Sequence, residues 1–235
     1  MIDQIRKIPK EKFPSHIAII MDGNRRWAVE KGYPKFYGHK KGVDTVKAVV
    51  KAAKKIGVKY LTLYAFSTEN WKRTNKEVST LMNLLKQAIK TYTPELLEND
   101  VSLKISGRVE EFSSELKKEI DKSILKLSKC SSMVLNLALN YGGRAEIVDA
   151  VNKCLKKGLT EITEKDITDN LYTYPLPEPD LIIRTSGEMR ISNFLIWQSA
   201  YSEFFVTSKY WPDFDEKDLF EAVINYSKRE RRMGR

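Results

Sequence analysis

Asp22, Gly23 and Asn24 stand directly after a short apolar run, Ile17 to Met21, and directly before a dense group of basic residues. An aspartate can hold a hard cation and a glycine lets backbone N–H groups approach a ligand, which is the chemistry of phosphate cradles at strand-to-helix junctions. Arg25, Arg26, Lys31, Lys35, His39, Lys40 and Lys41 follow. One carboxylate amid that much positive charge suggests a metal-bridged polyphosphate site. A tight turn before a solvated basic helix explains this stretch equally well on its own.

A second polar constellation lies far along the chain. Arg184 and Arg190, with Thr185, Ser186 and Ser192, close a short β-branched run, and two arginines with small hydroxyl residues at a strand end make a second anion site. Beyond it Glu203 is the one acid among Trp197, Tyr201, Phe204 and Phe205. Midway, the polar stretch Phe66 to Arg73 (FSTENWKR) follows another β-rich run, and Thr74 and Glu77 have capping-box spacing.

Regular elements must position these groups. Ile17 to Met21, Lys59 to Ala65, Val101 to Ser106, Met133 to Leu139 and Asp180 to Ile183 read as strands. Helical spacing appears from Val43 to Ile56, ended by Gly57, then from Val78 to Tyr92, Phe112 to Leu127, Ile147 to Leu155 and Asp213 to Tyr226. The helix from Val78 is apolar over two adjoining faces. The segment Tyr172 to Pro179 is a proline-rich connection. Such alternation predicts an α/β fold, a single domain with a central, mostly parallel sheet flanked by helices. Ligands of such sheets bind beyond the strand C-termini, where the Asp22, Phe66–Arg73 and Arg184 stretches all fall.

Composition narrows the partners. The 235 residues carry a net charge of +10, which calls for a polyanion: nucleic acid, anionic headgroups or a phosphorylated substrate. No apolar run approaches the roughly 20 residues of a membrane span, and the N-terminus lacks a signal-peptide core, so a cytoplasmic protein is expected. Cys130 and Cys154 are too few for a zinc site or a disulfide framework. The aromatic residues are not interleaved with basic ones as a stacking platform requires, which argues against nucleic acid.

Four blocks together resemble the cis-prenyltransferase family, and most closely undecaprenyl diphosphate synthases: HIAIIMDGNRRWA with Gly38 and His39; LTLYAFSTENWKR with Glu77; LNYGGR; and IRTSGEMRISNFLIWQSAYSEF with WPDF. The likeness runs from Phe13 to Gly234 within a single domain of residues 1–235, whose residues 1–14 are expected to be an N-terminal extension. It implies an elongated hydrophobic tunnel in the fold. The implied activity is repeated condensation of isopentenyl diphosphate onto an allylic diphosphate, usually farnesyl, with Mg²⁺ present. Undecaprenyl diphosphate for a cell-wall lipid carrier is the expected product, with a shorter-chain synthase as the alternative. A non-catalytic subunit is disfavoured because the acid and phosphate-binding residues are retained.

The resemblance also implies roles. Asp22 becomes the central acid at Mg²⁺, with Glu203 as a second acid on the metal side. Gly23, Asn24, Arg26 and His39 form the allylic diphosphate pocket. Arg25 stands where the family often has glycine and Lys35 where it often has arginine. Arg184, Arg190 and Ser192 hold the diphosphate of isopentenyl diphosphate. Ser67, Asn70, Arg73 and Glu77 bring the substrates together, with Asn70 and Arg73 as positioning groups during catalysis. Trp27, Thr68 and Glu69 join the substrate-binding set through the same blocks, and Phe66 and Trp71 either flank the prenyl chain or belong to the core. A homodimer is implied, the basic tail 228–235 reaching the partner through Arg232, Met233 and Gly234. An insoluble product adds peripheral contact with the inner membrane face. Val43 to Ile56, Val78 to Tyr92, Ala65 and Met133 are the expected tunnel walls.

Overall fold

A computed structural model describes residues 1–230; the tail residues 232–234 expected to reach a partner lie outside them. A short helix α1 (Ile2–Arg6) precedes β1 (His16–Ile20), α2 (Asn24–Glu30) and the long α3 (Lys35–Ile56). Next come β2 (Tyr60–Ser67), α4 (Asn75–Glu98), β3 (Val101–Ser106), α5 (Ser114–Lys126) and β4 (Met133–Tyr141). The chain continues through α6 (Gly143–Lys156), α7 (Glu164–Asn170), β5 (Leu181–Arg184), β6 (Glu203–Val206) and α8 (Glu216–Ser227).

The six strands form one sheet in the order β3-β4-β2-β1-β5-β6, and every pairing is parallel. The expected α/β architecture is therefore present, with one strand more than the sequence suggested. From β1 the chain goes to β2 on one side and later to β5 on the other. A parallel sheet opens a crevice at such a reversal, outside the carboxyl ends of the strands. Asp22 follows β1 and Arg184 ends β5, so the two anion motifs flank that crevice.

The main core packs α3 and α8 on the sheet through Val49, Ala52, Ala53, Leu219 and Val223 against Ile17, Ile19, Leu61 and Leu63. Small residues on α3 let the helix sit close, and Gly57 ends it at φ +92° with the left-handed geometry that glycine adopts without strain. On α4, Val78 and Ile89 pack with Phe112, Leu116 and Ile120. Leu81, Leu85 and Ile89 share in this cluster and, with Ala88 and Tyr92, also line a cavity of about 630 Å³. That explains the two adjoining apolar faces of this helix, which together serve a core cluster and a cavity wall.

Candidate active site

The cavity begins at the carboxyl edge of the sheet and runs between α3 and α4. Asp22, Gly23, Asn24, Arg25, Arg26, His39, Ser67, Asn70, Arg73, Arg184 and Ser192 line its polar end. Val43, Val46, Leu85, Ala88, Tyr92, Leu96, Leu135 and Leu137 line the remainder. Ala65 sits near the mouth, as expected. Met133 belongs to the main core rather than the cavity wall; Leu135 and Leu137, further along the same strand, take that place.

Asp22 is fixed from all sides. Its Oδ2 accepts from Arg184 Nη2 at 2.9 Å, its Oδ1 accepts from the Gly23 amide at 2.6 Å, and Arg26 Nη2 lies 3.2 Å from Oδ1. Its amide donates to Thr185 Oγ1 at 2.8 Å, tying the end of β1 to the end of β5. Burial opposes ionisation, but the Arg184 hydrogen bond, the Gly23 amide and the charges of Arg184 and Arg26 outweigh it and hold the carboxyl below the usual range. Asp22 is thus an anion at neutral pH.

Gly23 caps α2 at φ +97°, and a Cβ there would come within 2.4 Å of the Tyr210 ring. A Cβ on Gly38 would meet the Asn24 carbonyl at 1.9 Å, so glycine at 38 lets α3 close on α2, while glycine at 23 makes room for Tyr210. The close fit sets His39 beside the N-terminus of α2. Asn24 Nδ2 donates to the Met21 carbonyl at 3.1 Å, while its Oδ1 is buried with no hydrogen-bond partner among the described residues.

Arg184 is 5% exposed and has three contacts: Asp22, Ser192 Oγ at 2.8 Å, and the Arg190 carbonyl. Its Nε, like His39 Nε2, is buried without a partner among the described residues. Burial, and then the charge of Arg73, push His39 down to about 4 despite Glu77, so its imidazole is neutral at pH 7. Arginines outnumber carboxylates here: Glu77 serves both Arg73 (2.8 Å) and Arg25 (3.5 Å), and Arg26 reaches Ser186 Oγ at 2.6 Å and Glu188 at 3.1 Å. Spare positive charge and unused buried polar atoms at one crevice describe an anion receptor.

Several expected site residues fall elsewhere. Trp27 is buried under a stack with Tyr33 and Tyr37 and does not line the cavity. Lys35, at the first turn of α3, is exposed and outside the lining. Arg190 is exposed and pairs with Glu188 at 2.5 Å, its carbonyl rather than its guanidinium meeting Arg184. Phe66 is buried at the cavity, whereas Trp71 meets Phe66 edge-on, tilts against Phe112 and donates to Asn140 Oδ1 at 2.7 Å, outside the lining. Thr68 and Glu69 also lie outside the lining: Thr68 Oγ1 reaches Glu69 at 3.2 Å, and Glu69 accepts from Asn193 at 2.8 Å. Asn70 Oδ1 accepts from the Ser67 amide at 3.1 Å, closing the turn that carries both. Thr74 caps α4, accepting from the Glu77 amide at 3.3 Å, but the Glu77 side chain turns to the arginines instead of completing a capping box.

Glu203 requires the largest correction. It pairs with Leu181 and thus sits at the start of β6, at the opposite end of the strands from Asp22. The three residues from Leu181 to Arg184 span about 10 Å. Glu203 is ion-paired with Arg229 at 2.5 Å and does not join the Asp22 cluster within this chain. Among the described residues no three His, Cys, Asp or Glu side chains gather as a metal cage.

Thr185 and Ser186, expected as small hydroxyl residues of the second anion site, instead tie β1 to β5 and hold Arg26, and Trp211 is a neighbour that motif reading left without a role. The Trp211 amide donates to the Asp22 carbonyl and its indole to the Gly42 carbonyl, both at 2.9 Å, pinning the Asp22 loop to α3. Its place in the WPDF block was the only available signal.

A family described as putative undecaprenyl diphosphate synthase matches residues 20–234. This chain belongs to that family. The isoprenyl transferase of Fusobacterium nucleatum is 50% identical over 225 residues, covering 96% of this chain and 97% of the relative. That of Chromobacterium violaceum is 53% identical, covering 94% and 88%. Among solved structures, lavandulyl diphosphate synthase from Lavandula x intermedia, in complex with dimethylallyl diphosphate, superposes with a TM-score of 0.93 at 34% identity, covering 96% of this chain and all of that one. A probable undecaprenyl diphosphate synthase from Campylobacter jejuni gives 0.81 at 30% identity, covering 94% and 99%. The chain is a prenyl transferase enzyme, and none of its described helices is long and apolar enough to cross a membrane.

Proposed function

We propose that this prenyltransferase condenses isopentenyl diphosphate repeatedly onto an allylic diphosphate, farnesyl diphosphate being the expected primer, and releases a polyprenyl diphosphate of undecaprenyl size. The observation that carries the reading is one cavity with an arginine-rich anion receptor at one end and an apolar corridor between α3 and α4 at the other. Each added isoprene unit gains roughly 0.8 kcal/mol per CH₂ removed from water, so the corridor favours a tail growing away from the charged end.

In each cycle the allylic C1–O bond breaks and diphosphate leaves with the electron pair. The isopentenyl double bond then forms the new C–C bond at C1, and loss of one proton creates the new double bond. Arg26, the N–H group at Asn24 and the neutral His39 imidazole face the leaving diphosphate, where fixed donors stabilise accumulating charge, while the Gly23 amide holds Asp22. Arg184 and Ser192 hold the second diphosphate beside Asp22. Asn70 and Arg73 position the reacting ends from the turn after β2.

Mg²⁺ fits this donor set: an ionised Asp22 supplies one carboxylate, and Mg²⁺ characteristically takes one or two carboxylates with phosphate oxygens and waters. Asp22 would hold it, and it would neutralise the charge of the diphosphate. A homodimer, a role in supplying the cell-wall lipid carrier and contact with a membrane surface belong to the same proposal. The test is incorporation of labelled isopentenyl diphosphate with geranyl, farnesyl and geranylgeranyl primers, with Mg²⁺ or chelator. A magnesium-dependent ladder supports the reading; short products only would favour the shorter-chain alternative.

A further inference from the structure

Asn193 holds three pieces of the crevice at once. It follows Ser192, whose Oγ accepts from Arg184 Nη1 at 2.8 Å. Its backbone carbonyl accepts from the Gly143 amide at 2.7 Å, and its Oδ1 from the Arg144 amide at 2.9 Å. These are the first two amides of α6, whose own N-cap, Gly142, has no side chain to offer them. A remote cap for α6 would need nothing more. The remaining group, Nδ2, turns the other way and donates to Glu69 Oε1 at 2.8 Å. Glu69 belongs to the turn Thr68–Lys72, which carries Asn70 and leads into Arg73.

The backbone is shaped for this junction. A Cβ on Gly142 would come within 2.6 Å of Thr68 Oγ1 and 2.8 Å of Asn193 Nδ2, so glycine just after β4 lets the turn and the Asn193 loop meet. Ser192, Asn193 and Leu195 all have positive φ, at +48°, +62° and +46°. Asparagine adopts the left-handed region readily; serine and leucine do so only where their surroundings fix them. Here the fully buried Phe194 stacks on Tyr64 with 4.5 Å between ring centroids, and Asn193 supplies the hydrogen bonds.

We propose that Asn193 is a positioning residue that fixes the distance between two halves of the reaction site: the Arg184–Ser192 holder of isopentenyl diphosphate and the turn that carries Asn70 and Arg73. This role rests on the condensation reading of those groups. Asn193 acts through Glu69 and Ser192 rather than on the reacting atoms. Cutting the Nδ2–Glu69 bond leaves the α6 cap and Ser192 in place, so isopentenyl diphosphate still binds, but the turn is free to drift relative to it. A misplacement of about 1 Å costs about 10²-fold in rate. The signature of the role is therefore a loss of rate without a loss of binding.

The test uses the full chain and separates binding from rate. Without a primer isopentenyl diphosphate cannot condense, so calorimetry reads its Kd and stoichiometry. A single turnover of farnesyl diphosphate at saturating isopentenyl diphosphate then reads the first addition. Glu69→Ala cuts the bond at the turn; Asn193→Asp cuts it at the loop and keeps an oxygen to cap α6. Each is expected to slow the first addition by about 10- to 100-fold while Kd stays within about threefold and the stoichiometry is unchanged. Asn193→Asp/Glu69→Gln exchanges donor and acceptor and restores the rate to within about threefold of wild type. Thermal melting of each variant reports the fold, and if Asn193→Asp unfolds, Glu69→Ala decides. The proposal is overturned if a folded single variant keeps the wild-type rate, if Kd rises as far as the rate falls, or if the exchange variant is no faster than Asn193→Asp. Wild type that incorporates no isopentenyl unit defeats the condensation reading itself and the role with it, a result distinct from any of these.

Discussion

The two histidines of the chain, His16 and His39, are both pushed down to about 4, yet they do opposite work. His16 begins β1 and is 2% exposed. Its Nδ1 donates to the Pro177 carbonyl at 2.7 Å, which fixes the tautomer. Nε2 then accepts from Thr62 Oγ1 at 2.7 Å, and Thr62 in turn accepts from Asn136 Nδ2 at 3.2 Å. Every polar atom in that file has a partner. His39 has none at Nε2 among the described residues, and it faces Arg73 and Arg25 in a crevice rich in cations. A closed hydrogen-bond file specifies a fold, whereas donors and charge left over at a cavity specify a ligand.

Substitutions at the two ends of β1 should separate these roles. The largest effect is expected for Asp22→Ala: turnover falls by about 10³-fold or more, since Arg184 and Arg26 lose the group that aligns them at the charged end. Circular dichroism should show an intact fold. Arg184→Lys comes next. Lysine has no planar fork to span Asp22 and Ser192, so KM for isopentenyl diphosphate rises by about 10- to 100-fold, measured by initial rates at saturating primer.

His16→Ala should reverse the pattern, lowering stability by roughly 2–3 kcal/mol in urea unfolding while the folded enzyme keeps its turnover. The pH dependence sharpens this contrast. An unfolded histidine titrates near its ordinary value of 6.5, and the folded one near 4. Between these values the unfolded chain binds more protons, so stability is complete above pH 6.5 and declines as pH falls toward 4. The loss attributable to His16 is roughly 3 kcal/mol and disappears from the pH profile of His16→Ala. The smallest effect is expected for Lys35→Ala: an exposed lysine outside the cavity should leave kcat/KM within about twofold.

The legible parts of the sequence were those where a pattern repeats or a breaker interrupts it. Ile17 to Met21 announced β1 because every residue of that strand is buried, and Asp22-Gly23-Asn24 marked its end. The strand β6 escaped because Glu203–Val206 is a half-exposed edge with two adjacent phenylalanines and no alternation. Helix α7 is only seven residues long and mostly polar. At the site, the β1 motif carried its own chemistry, but its partners Thr185 and Trp211 lie some 160 to 190 residues away, and no local spacing announces contacts at that separation. Trp27 and Glu203 show the converse. Membership in a motif block says that a side chain matters, not whether it faces the crevice, the core or the far end of a strand.

The most direct test of the account is turnover of labelled isopentenyl diphosphate by Asp22→Ala protein whose fold has been verified, with Mg²⁺ and farnesyl diphosphate. The charged crevice at the carboxyl edge predicts loss of about 10³-fold or more against wild type. Wild-type turnover by the folded variant would contradict it and place the chemistry elsewhere in the molecule.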